Sequence, residues 1–194
     1  IDVKIDMEKS RVTIRLEHPN GELVKCPECG CECTIADRAP ERGWRHLDTM
    51  QFRTEVVAAT PRSNCGECGV KTIAVPWAEK SARFTRLFES FAIKVIEACG
   101  TVHQAKGLLR IGWDAVQRIM ERGVERGLER RNVDKIKYAG IDEKSFRKGH
   151  NYISVLNDLE GARVLEVVEG RTEQSADSLW DTLDEKVRES IKAV

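Results

Sequence analysis

The chain has 194 residues, of which 41% are hydrophobic and 33% are charged, a composition typical of globular proteins. No apolar run approaches the roughly 20 residues that cross a bilayer, and charged residues interrupt the first segment too often for a secretory signal. The net charge is zero, but residues 80–150 carry 16 Lys/Arg against 9 Asp/Glu, while residues 1–79 and 151–194 are acidic. These patterns argue against a membrane protein and favour a cytoplasmic one.

The basic middle of the chain suggests a polyanionic partner such as nucleic acid. An ordinary solvated surface would give similar counts, so charge alone does not decide between the two. The chain begins at Ile1 rather than Met, and we therefore expect it to be processed or cut from a longer protein.

The first 25 residues predict a β-hairpin that leads into a cysteine-rich segment. Val12, Ile14 and Leu16 alternate with polar residues, and residues 18–21 form a His-Pro-Asn-Gly turn cluster. Further on, residues 52–59 have the composition of a strand, and the segment 61–64 is predicted to turn the chain back.

Two Cys-x-x-Cys pairs predict a structural zinc site with Cys26, Cys29, Cys65 and Cys68 as ligands. A reducing compartment disfavours disulfides, although buried or redox-active thiols are the alternative. The 35 residues between the pairs exceed the usual spacing, but doubling a loop costs only about 0.6 kcal/mol. Cys31 and Cys33 form a Cys-x-Cys pair, but the sequence has no second Cys-x-Cys pair that would complete a set of four ligands. We therefore expect both to be bystanders that do not bind the metal.

Residues 81–131 predict three helices, because apolar residues recur at spacings of three and four. The first helix should end at Cys99 and Gly100, and Thr101 should cap the second with Gln104 as its capping-box partner. A break is expected at 110–112, and the third helix should start at about Trp113. The apolar face of this helix should carry Val116, Ile119, Met120, Val124 and Leu128.

A short helix, a break and a longer helix form the layout of a helix-turn-helix, whose second helix enters the major groove by its N-terminal part. The residues predicted to face the bases are Trp113, Asp114, Gln117 and Arg118. Those predicted to contact phosphates are Lys106, Arg110 and Arg122. The alternative is a plain three-helix bundle, since glutamates alternate with arginines along residues 121–130 and would form a salt-bridged surface.

The last part of the chain predicts strands at 135–142, 150–157 and 163–168, with a turn at 158–161 between the last two. One amphipathic helix should follow, with its apolar positions at Ala176, Leu179, Trp180, Leu183 and Val187. A further strand should begin at Ile191. An antiparallel meander, a crossover helix and Asp142 on the first strand fit an RNase H-like fold, although a lone aspartate at a strand end is more often a turn or cap residue.

Residues 140–152, Gly-Ile-Asp-Glu-Lys-Ser-Phe-Arg-Lys-Gly-His-Asn-Tyr, resemble the start of the catalytic domain in a family of bacterial insertion-sequence transposases named after insertion sequence L-three. The similarity continues through Asn157 and Asp158 to residues 163–171, and the Trp-Arg-His-Leu-Asp segment at 44–48 resembles the family's zinc ribbon. The order of zinc ribbon, helix-turn-helix and RNase H-like domain is also the family's order.

The resemblance implies a cut-and-paste transposase in which two aspartates and a glutamate hold two Mg²⁺ or Mn²⁺ ions for phosphodiester chemistry. Asp142 corresponds to the first of these carboxylates. The other two would lie beyond Val194, so the chain alone is expected to be inactive, and Glu143 should point to the opposite face of the strand. Lys148 and His150 would either contact DNA phosphate or order the hairpin.

These inferences together predict a multidomain α+β protein with a β-rich zinc ribbon at 1–79, a helical helix-turn-helix domain at 80–133 and an incomplete RNase H-like α/β domain at 134–194. Its expected partners are transposon-end DNA and further copies of itself, in the cytoplasm at the bacterial nucleoid. A non-catalytic zinc-containing regulator that binds DNA through the same modules is the alternative, and the reading frame beyond Val194 discriminates the two. A third possibility, a ribbon that docks proteins, predicts no salt-dependent affinity for DNA.

Overall fold

The structure is a computed structural model that describes residues 1–131, 133, 135–147, 149 and 151–194. The chain divides into two compact units, residues 1–126 and residues 127–194. Among the described residues, no helix is long and apolar enough to cross a membrane.

Two four-stranded sheets build the first part of unit one, in the orders β1-β2-β6-β5 and β3-β4-β7-β8. The strands are β1 (Asp2–Asp6), β2 (Arg11–Leu16), β3 (Val24–Lys25), β4 (Glu32–Arg38), β5 (Arg42–Arg45), β6 (Arg53–Ala58), β7 (Pro61–Cys65) and β8 (Gly69–Thr72). The predicted hairpin is confirmed as β1 and β2, which turn at residues 7–10. Residues 18–21 instead link β2 to β3, and β2 pairs in parallel with β6.

The prediction that residues 61–64 turn the chain back is wrong, because they belong to strand β7. Pro61 is the first residue of that strand, a position where its missing N–H interrupts no ladder. The chain therefore crosses from one sheet to the other between Ala58 and Pro61, and Cys65 is the last residue of β7. The strand predicted at 52–59 is confirmed as β6.

Trp44 on β5 is the centre of the core between the first sheet and the loop that follows β8. Its side chain is 1% exposed and meets the ring of Trp77 edge-on, with the ring centroids 5.5 Å apart. Ala58 and Ala78 complete this cluster. An aromatic edge-to-face pair of this kind adds to the stabilisation from burial.

The three predicted helices are confirmed as α1 (Arg86–Ala98), α2 (Val102–Leu109) and α3 (Trp113–Glu129). The Thr101 side chain caps α2 as predicted, accepting a hydrogen bond from the Gln104 N–H. The break also lies where expected: Arg110 adopts a left-handed conformation with φ of 54° and ends α2. Ile119 of α3 packs into the core of these helices, whereas Val124 and Leu128 are 61% and 53% exposed.

Unit two contains an antiparallel sheet in the order β11-β10-β9 and two helices. Its elements are β9 (Ala139–Arg147), β10 (Asn151–Asp158), β11 (Arg163–Glu169), α4 (Glu173–Asp181) and α5 (Glu185–Ser190). The first strand thus starts later than the predicted position 135 and runs well past 142. The turn at 158–161 is confirmed.

The single amphipathic helix predicted after β11 is wrong, since α4 and α5 are separate helices. The Thr182 hydroxyl donates a hydrogen bond to the Leu179 carbonyl, and Asp184 occupies the N-cap position of α5. The bond from the Thr182 hydroxyl lies at the end of α4, where a hydroxyl competes with helical backbone bonding. Leu179, Leu183 and Val187 still share one core.

The strand expected from Ile191 is present as a short segment that pairs in parallel with the residues just before β9. Tyr138 forms a parallel bridge with Ala193, and the Lys192 N–H donates to the Lys137 carbonyl at 2.9 Å. The sheet order in unit two therefore extends to β11-β10-β9 followed by the last residues of the chain.

Candidate metal centre and nucleic-acid interface

Four cysteines of unit one converge from two tight turns. Cys26 and Cys29 lie between β3 and β4, Cys65 ends β7, and Cys68 lies in the turn before β8. Their four Sγ atoms all lie within 4.8 Å of one another. The glycine after each pair has positive φ, 75° at position 30 and 71° at position 69, so each turn closes without a Cβ penalty.

This arrangement fits the donor set of a structural zinc ion. Zinc–sulfur bonds of about 2.3 Å in a tetrahedron place sulfurs about 3.8 Å apart, and the Cys29 and Cys65 Sγ atoms are 3.6 Å apart. Hydrogen bonding from the Cys68 backbone N–H, and then from the Cys31 thiol, lowers the pKa of Cys65 to about 6. These hydrogen bonds favour the thiolate of Cys65, which is the form that binds metal.

Cys31 and Cys33, predicted to be bystanders, lie within this cluster. The Cys31 Sγ is 3.3 Å from the Cys29 Sγ and 3.4 Å from the Cys65 Sγ. The Cys33 Sγ is 3.3 Å from that of Cys31. Cys33 lies on β4, and Cys31 precedes that strand, where its carbonyl accepts a hydrogen bond from the Cys26 N–H. The short Cys-x-Cys spacing next to the first Cys-x-x-Cys pair was the signal that could have placed both thiols near the same site.

The Trp-Arg-His-Leu-Asp segment joins the sheets to the helices. The Asp48 carboxylate forms ion pairs with both Arg45 and Arg110, and Arg110 is the residue that ends α2. Partial burial raises the pKa of Asp48, but the hydrogen bonds from Arg45 and Arg110 outweigh it and hold that pKa below its usual range. Asp48 thereby fixes the turn between α2 and α3.

The same segment also fixes the start of α1. His46 Nδ1 lies 2.8 Å from the Thr85 hydroxyl, and that hydroxyl accepts a hydrogen bond from the Phe88 N–H as the N-cap of α1. The Arg45 guanidinium stacks 5.0 Å from the centre of the Phe88 ring. Burial, followed by the charge of Arg45, lowers the pKa of His46 and thereby favours the neutral ring.

The predicted base-facing residues occupy the exposed N-terminal part of α3. Trp113 is 53% exposed, and Asp114, Gln117 and Arg118 are also exposed. The Gln117 amide donates to the Glu121 carboxylate one turn later at 3.1 Å. Among the predicted phosphate contacts, Lys106 is half-buried, and Lys148, like His150, lies outside the described residues.

A groove of about 740 Å³ runs beside the start of α3 and is lined by arginines from both of its walls. Its arginines are Arg45, Arg53, Arg83, Arg110, Arg118 and Arg122. Glu55 and Asp114 are the acidic residues in the lining. Arg53 and Arg83 were missed by sequence reasoning, because they come from a strand and a loop distant in sequence and carry no local motif.

Arg122 differs from the other arginines of the groove because it binds a buried carboxylate. Its guanidinium donates to Glu89, which is 2% exposed, with the shortest N–O distance at 2.6 Å. Arg126 donates to Glu89 at 3.1 Å and to Glu79 at 2.8 Å. In the structure Arg122 therefore neutralises the buried charge of Glu89 inside the helical region.

Asp142 is exposed on β9, and its carboxylate accepts a hydrogen bond from the Glu143 N–H at 2.9 Å. It pairs across the sheet with Val155, whereas Ile141 pairs with the fully buried Leu156. Asp142 thus lies on the sheet face opposite to Leu156. Among the described residues no group of three metal-ligating side chains includes Asp142, so one carboxylate by itself does not form a divalent-metal site.

Three family models match consecutive parts of the chain. The zinc-finger of transposase IS204/IS1001/IS1096/IS1165 matches residues 22–68, and the helix-turn-helix domain of transposase family ISL3 matches residues 73–124. A transposase model of the same ISL3 family, of the DDE type, matches residues 139–194.

Curated relatives of the chain are also named as insertion-sequence transposases. The transposase for insertion sequence element IS1557 of Mycobacterium tuberculosis is 31% identical over 178 residues, covering 90% of this chain and 39% of the relative. The transposase for insertion sequence element IS1001 of Bordetella parapertussis is 24% identical over 177 residues, covering 91% of this chain and 43% of the relative. The chain thus spans about two fifths of the length of these relatives. No solved structure matches it.

Proposed function

Because the chain belongs to the ISL3 family of insertion-sequence transposases, we propose that it recognises the terminal repeats of an insertion sequence as double-stranded DNA. The observation that carries this proposal is the arginine-lined groove next to the exposed start of α3. A zinc ribbon and a helix-turn-helix, both shared with named transposases, support a DNA-binding role. In a bacterial cell this target assigns the protein to the cytoplasm, at the nucleoid.

In this proposal the start of α3 enters the major groove, as the second helix of a helix-turn-helix does. Gln117 and Arg118 then reach base edges, since Gln pairs with adenine and Arg with guanine through two hydrogen bonds. Trp113 and Asp114 lie at the same end and complete the contact. All four are exposed, which supports this role.

The groove arginines supply the phosphate contacts. Arg53, Arg83 and Arg118 form no ion pair with any acidic side chain in the described part of the chain, so their charges are available to a polyanion. Lys106 and Arg110 flank the same turn, and Arg110 keeps a contact to Asp48 that orients it. Such contacts position the protein on the duplex without reading its sequence.

The zinc ribbon has a positioning role in this proposal. Zinc bound by Cys26, Cys29, Cys65 and Cys68 holds the second sheet together, and in model peptides such binding contributes about 10–16 kcal/mol to folding. The neighbouring segment 44–48 then fixes the starts of α1 and α3 through Thr85 and Arg110. Loss of zinc should therefore weaken DNA recognition indirectly.

We further propose that unit two is the beginning of an RNase H-like catalytic domain. Three antiparallel strands, a helical crossover and a returning parallel segment beside β9 support this assignment. Asp142 would be one of three carboxylates, and Mg²⁺ or Mn²⁺ bound by the complete set would supply two-metal phosphodiester cutting and joining. Asp142 is the one member of this set that we assign among the described residues, and we propose that the complete transposase cleaves DNA as a homodimer or larger assembly on paired DNA ends.

A non-catalytic regulator is the second candidate function. It is favoured by one observation: the proposed DNA-contacting residues except Lys148 all belong to unit one, which is compact by itself. The reading frame beyond Val194 distinguishes the two functions. A downstream strand with an aspartate and a later helical glutamate would support the enzyme, and a stop codon would support the regulator.

Selection of bound sequences from a random duplex pool tests the DNA-recognition proposal. The zinc-loaded chain should enrich one motif, and that motif should occur at both ends of the insertion sequence that encodes the protein. A parallel selection after removal of zinc with a chelator should lose the enrichment. Failure of the zinc-loaded chain to enrich any motif would contradict sequence-specific recognition.

A further inference from the structure

The cysteine cluster contains two more thiols than a single tetrahedral zinc ion can bind. Cys26, Cys29, Cys65 and Cys68 form one group of mutually close sulfurs, and Cys31, Cys33 and Cys65 form a second. Cys65 belongs to both groups.

Cys29 lies close to two members of the second group. Its Sγ lies 3.3 Å from the Cys31 Sγ and 3.6 Å from the Cys65 Sγ, and its side chain is exposed and able to adjust. Cys29 and Cys65 therefore belong to the first group and also lie in contact with Cys31 of the second. Two tetrahedra that share an edge have this arrangement, with the shared edge formed by two bridging sulfurs.

We propose that the ribbon binds two zinc ions in one binuclear thiolate cluster. Cys26 and Cys68 are terminal ligands of the first ion, Cys31 and Cys33 are terminal ligands of the second, and Cys29 and Cys65 bridge the two. Each ion then has four sulfur ligands, the closed set that structural zinc prefers. The proposal concerns the ribbon alone and does not depend on the DNA-binding role.

Charge supports the second ion. Six thiolates around one Zn²⁺ would leave a net charge of −4, whereas six thiolates around two Zn²⁺ leave −2, the same as four thiolates around one. With a single ion bound by the first group, the Cys31 and Cys33 sulfurs would lie 3.3 Å from each other without a metal between them. A second ion makes ligands of both sulfurs.

Access to the second site differs between its ligands. Cys33 and Cys65 are buried, whereas Cys29 and Cys31 are exposed. The second ion can therefore enter from solvent after the first has closed the turns around Cys26 and Cys68. We expect the two ions to bind in sequence and the second to be removed first by a competing chelator.

Native mass spectrometry of the reduced chain, titrated with zinc alone, tests the stoichiometry. We expect saturation at two zinc ions per chain for the wild type and at one for the Cys31→Ser/Cys33→Ser double variant. Cys99→Ser is the matched control and should retain two, because Cys99 lies at the end of α1 and belongs to neither sulfur group. Saturation of the wild type at one ion would overturn the binuclear proposal while leaving the zinc ribbon intact, whereas no bound zinc would overturn both.

A second measurement on the wild type covers the case in which the double variant does not fold. With ¹¹³Cd²⁺ replacing zinc, two resonances with mutual scalar coupling are expected, since bridging thiolates connect the two ions. A single resonance would contradict the proposal. So would thiol counting on the metal-loaded chain prepared without reductant that finds Cys31 and Cys33 joined in a disulfide, because those sulfurs would then not be ligands.

Discussion

Asp48 and Arg110 form an ion pair that joins the loop after β5 to the turn between α2 and α3. Arg45, whose side chain is buried, binds the other carboxylate oxygen of Asp48. The loop of the ribbon thereby sets the position of the proposed recognition helix, and both arginine partners of Asp48 also line the groove.

Replacing Asp48 with Asn should destabilise the zinc-loaded chain by about 2 kcal/mol, since hydrogen bonds to charged groups contribute roughly 1.5–3 kcal/mol. The free energy of unfolding in urea measures this. Asp37→Asn is the matched control: Asp37 pairs with Arg62 at an exposed site, where an ion pair contributes at most about 1 kcal/mol. Equal losses in the two variants would mean that the Asp48 joint has no special role.

Glu89→Ala should destabilise unit one by about 3–5 kcal/mol, because it leaves Arg122 and Arg126 without their buried counter-ion. Glu97→Ala on the exposed side of α1 should change the unfolding free energy by less than about 0.5 kcal/mol. Both values come from urea unfolding followed by circular dichroism. A loss below about 1 kcal/mol for Glu89→Ala would contradict the view that this carboxylate organises the helices.

The Arg53→Ala/Arg83→Ala double variant should bind all DNA sequences more weakly. The fall of log K with log salt should become shallower by about 1.8, or about 0.9 per lost phosphate contact. Gln117→Ala should instead lose about 1–3 kcal/mol on the cognate sequence only, with the slope unchanged. Arg86→Ala, at the start of α1 outside the groove, is the control. Anisotropy titrations at several salt concentrations measure both effects, and a sequence-selective loss from the arginine variant would reverse the assignment.

Asp142→Asn should abolish Mg²⁺-dependent cleavage at transposon ends when introduced into the protein encoded by the complete reading frame, and DNA binding should stay within twofold. Glu143→Gln is the neighbouring control and should retain cleavage, because Glu143 pairs with the buried Ser154 and so lies on the opposite face of β9. A plasmid carrying both ends of the element provides the substrate. Cleavage by Asp142→Asn at the wild-type rate would exclude Asp142 from the metal site.

Local signals predicted most of the elements correctly. Thr101 before an apolar run and Gly112 after Arg110 and Ile111 bounded α2 and α3, since caps and breaks depend on neighbouring residues alone. The Cys-x-x-Cys pairs likewise located the cysteine cluster, because the spacing itself determines each turn. The domain boundaries at 79 and 133 stay predictions.

Long-range relationships could not be predicted from the sequence. Residues 61–64 had turn composition, yet pairing with β4 and β8 made them a strand. The pairing of Arg122 with buried Glu89 could not be predicted, because Glu89 lies 33 residues away. Arg53 and Arg83 joined the groove only through tertiary folding, and Cys31 and Cys33 entered the cluster because folding brings the end of β7, with Cys65, next to the start of β4.

The binding of the zinc-loaded chain to the terminal sequence of its own insertion element tests the central claim most directly. A fluorescence anisotropy titration should compare a duplex carrying that sequence with a shuffled duplex of equal length and composition. We predict roughly a thousandfold preference for the terminal sequence, with an affinity that falls linearly in log K against log salt. Equal affinity for the two duplexes, or no salt-dependent binding to either, would contradict recognition of transposon ends by this chain.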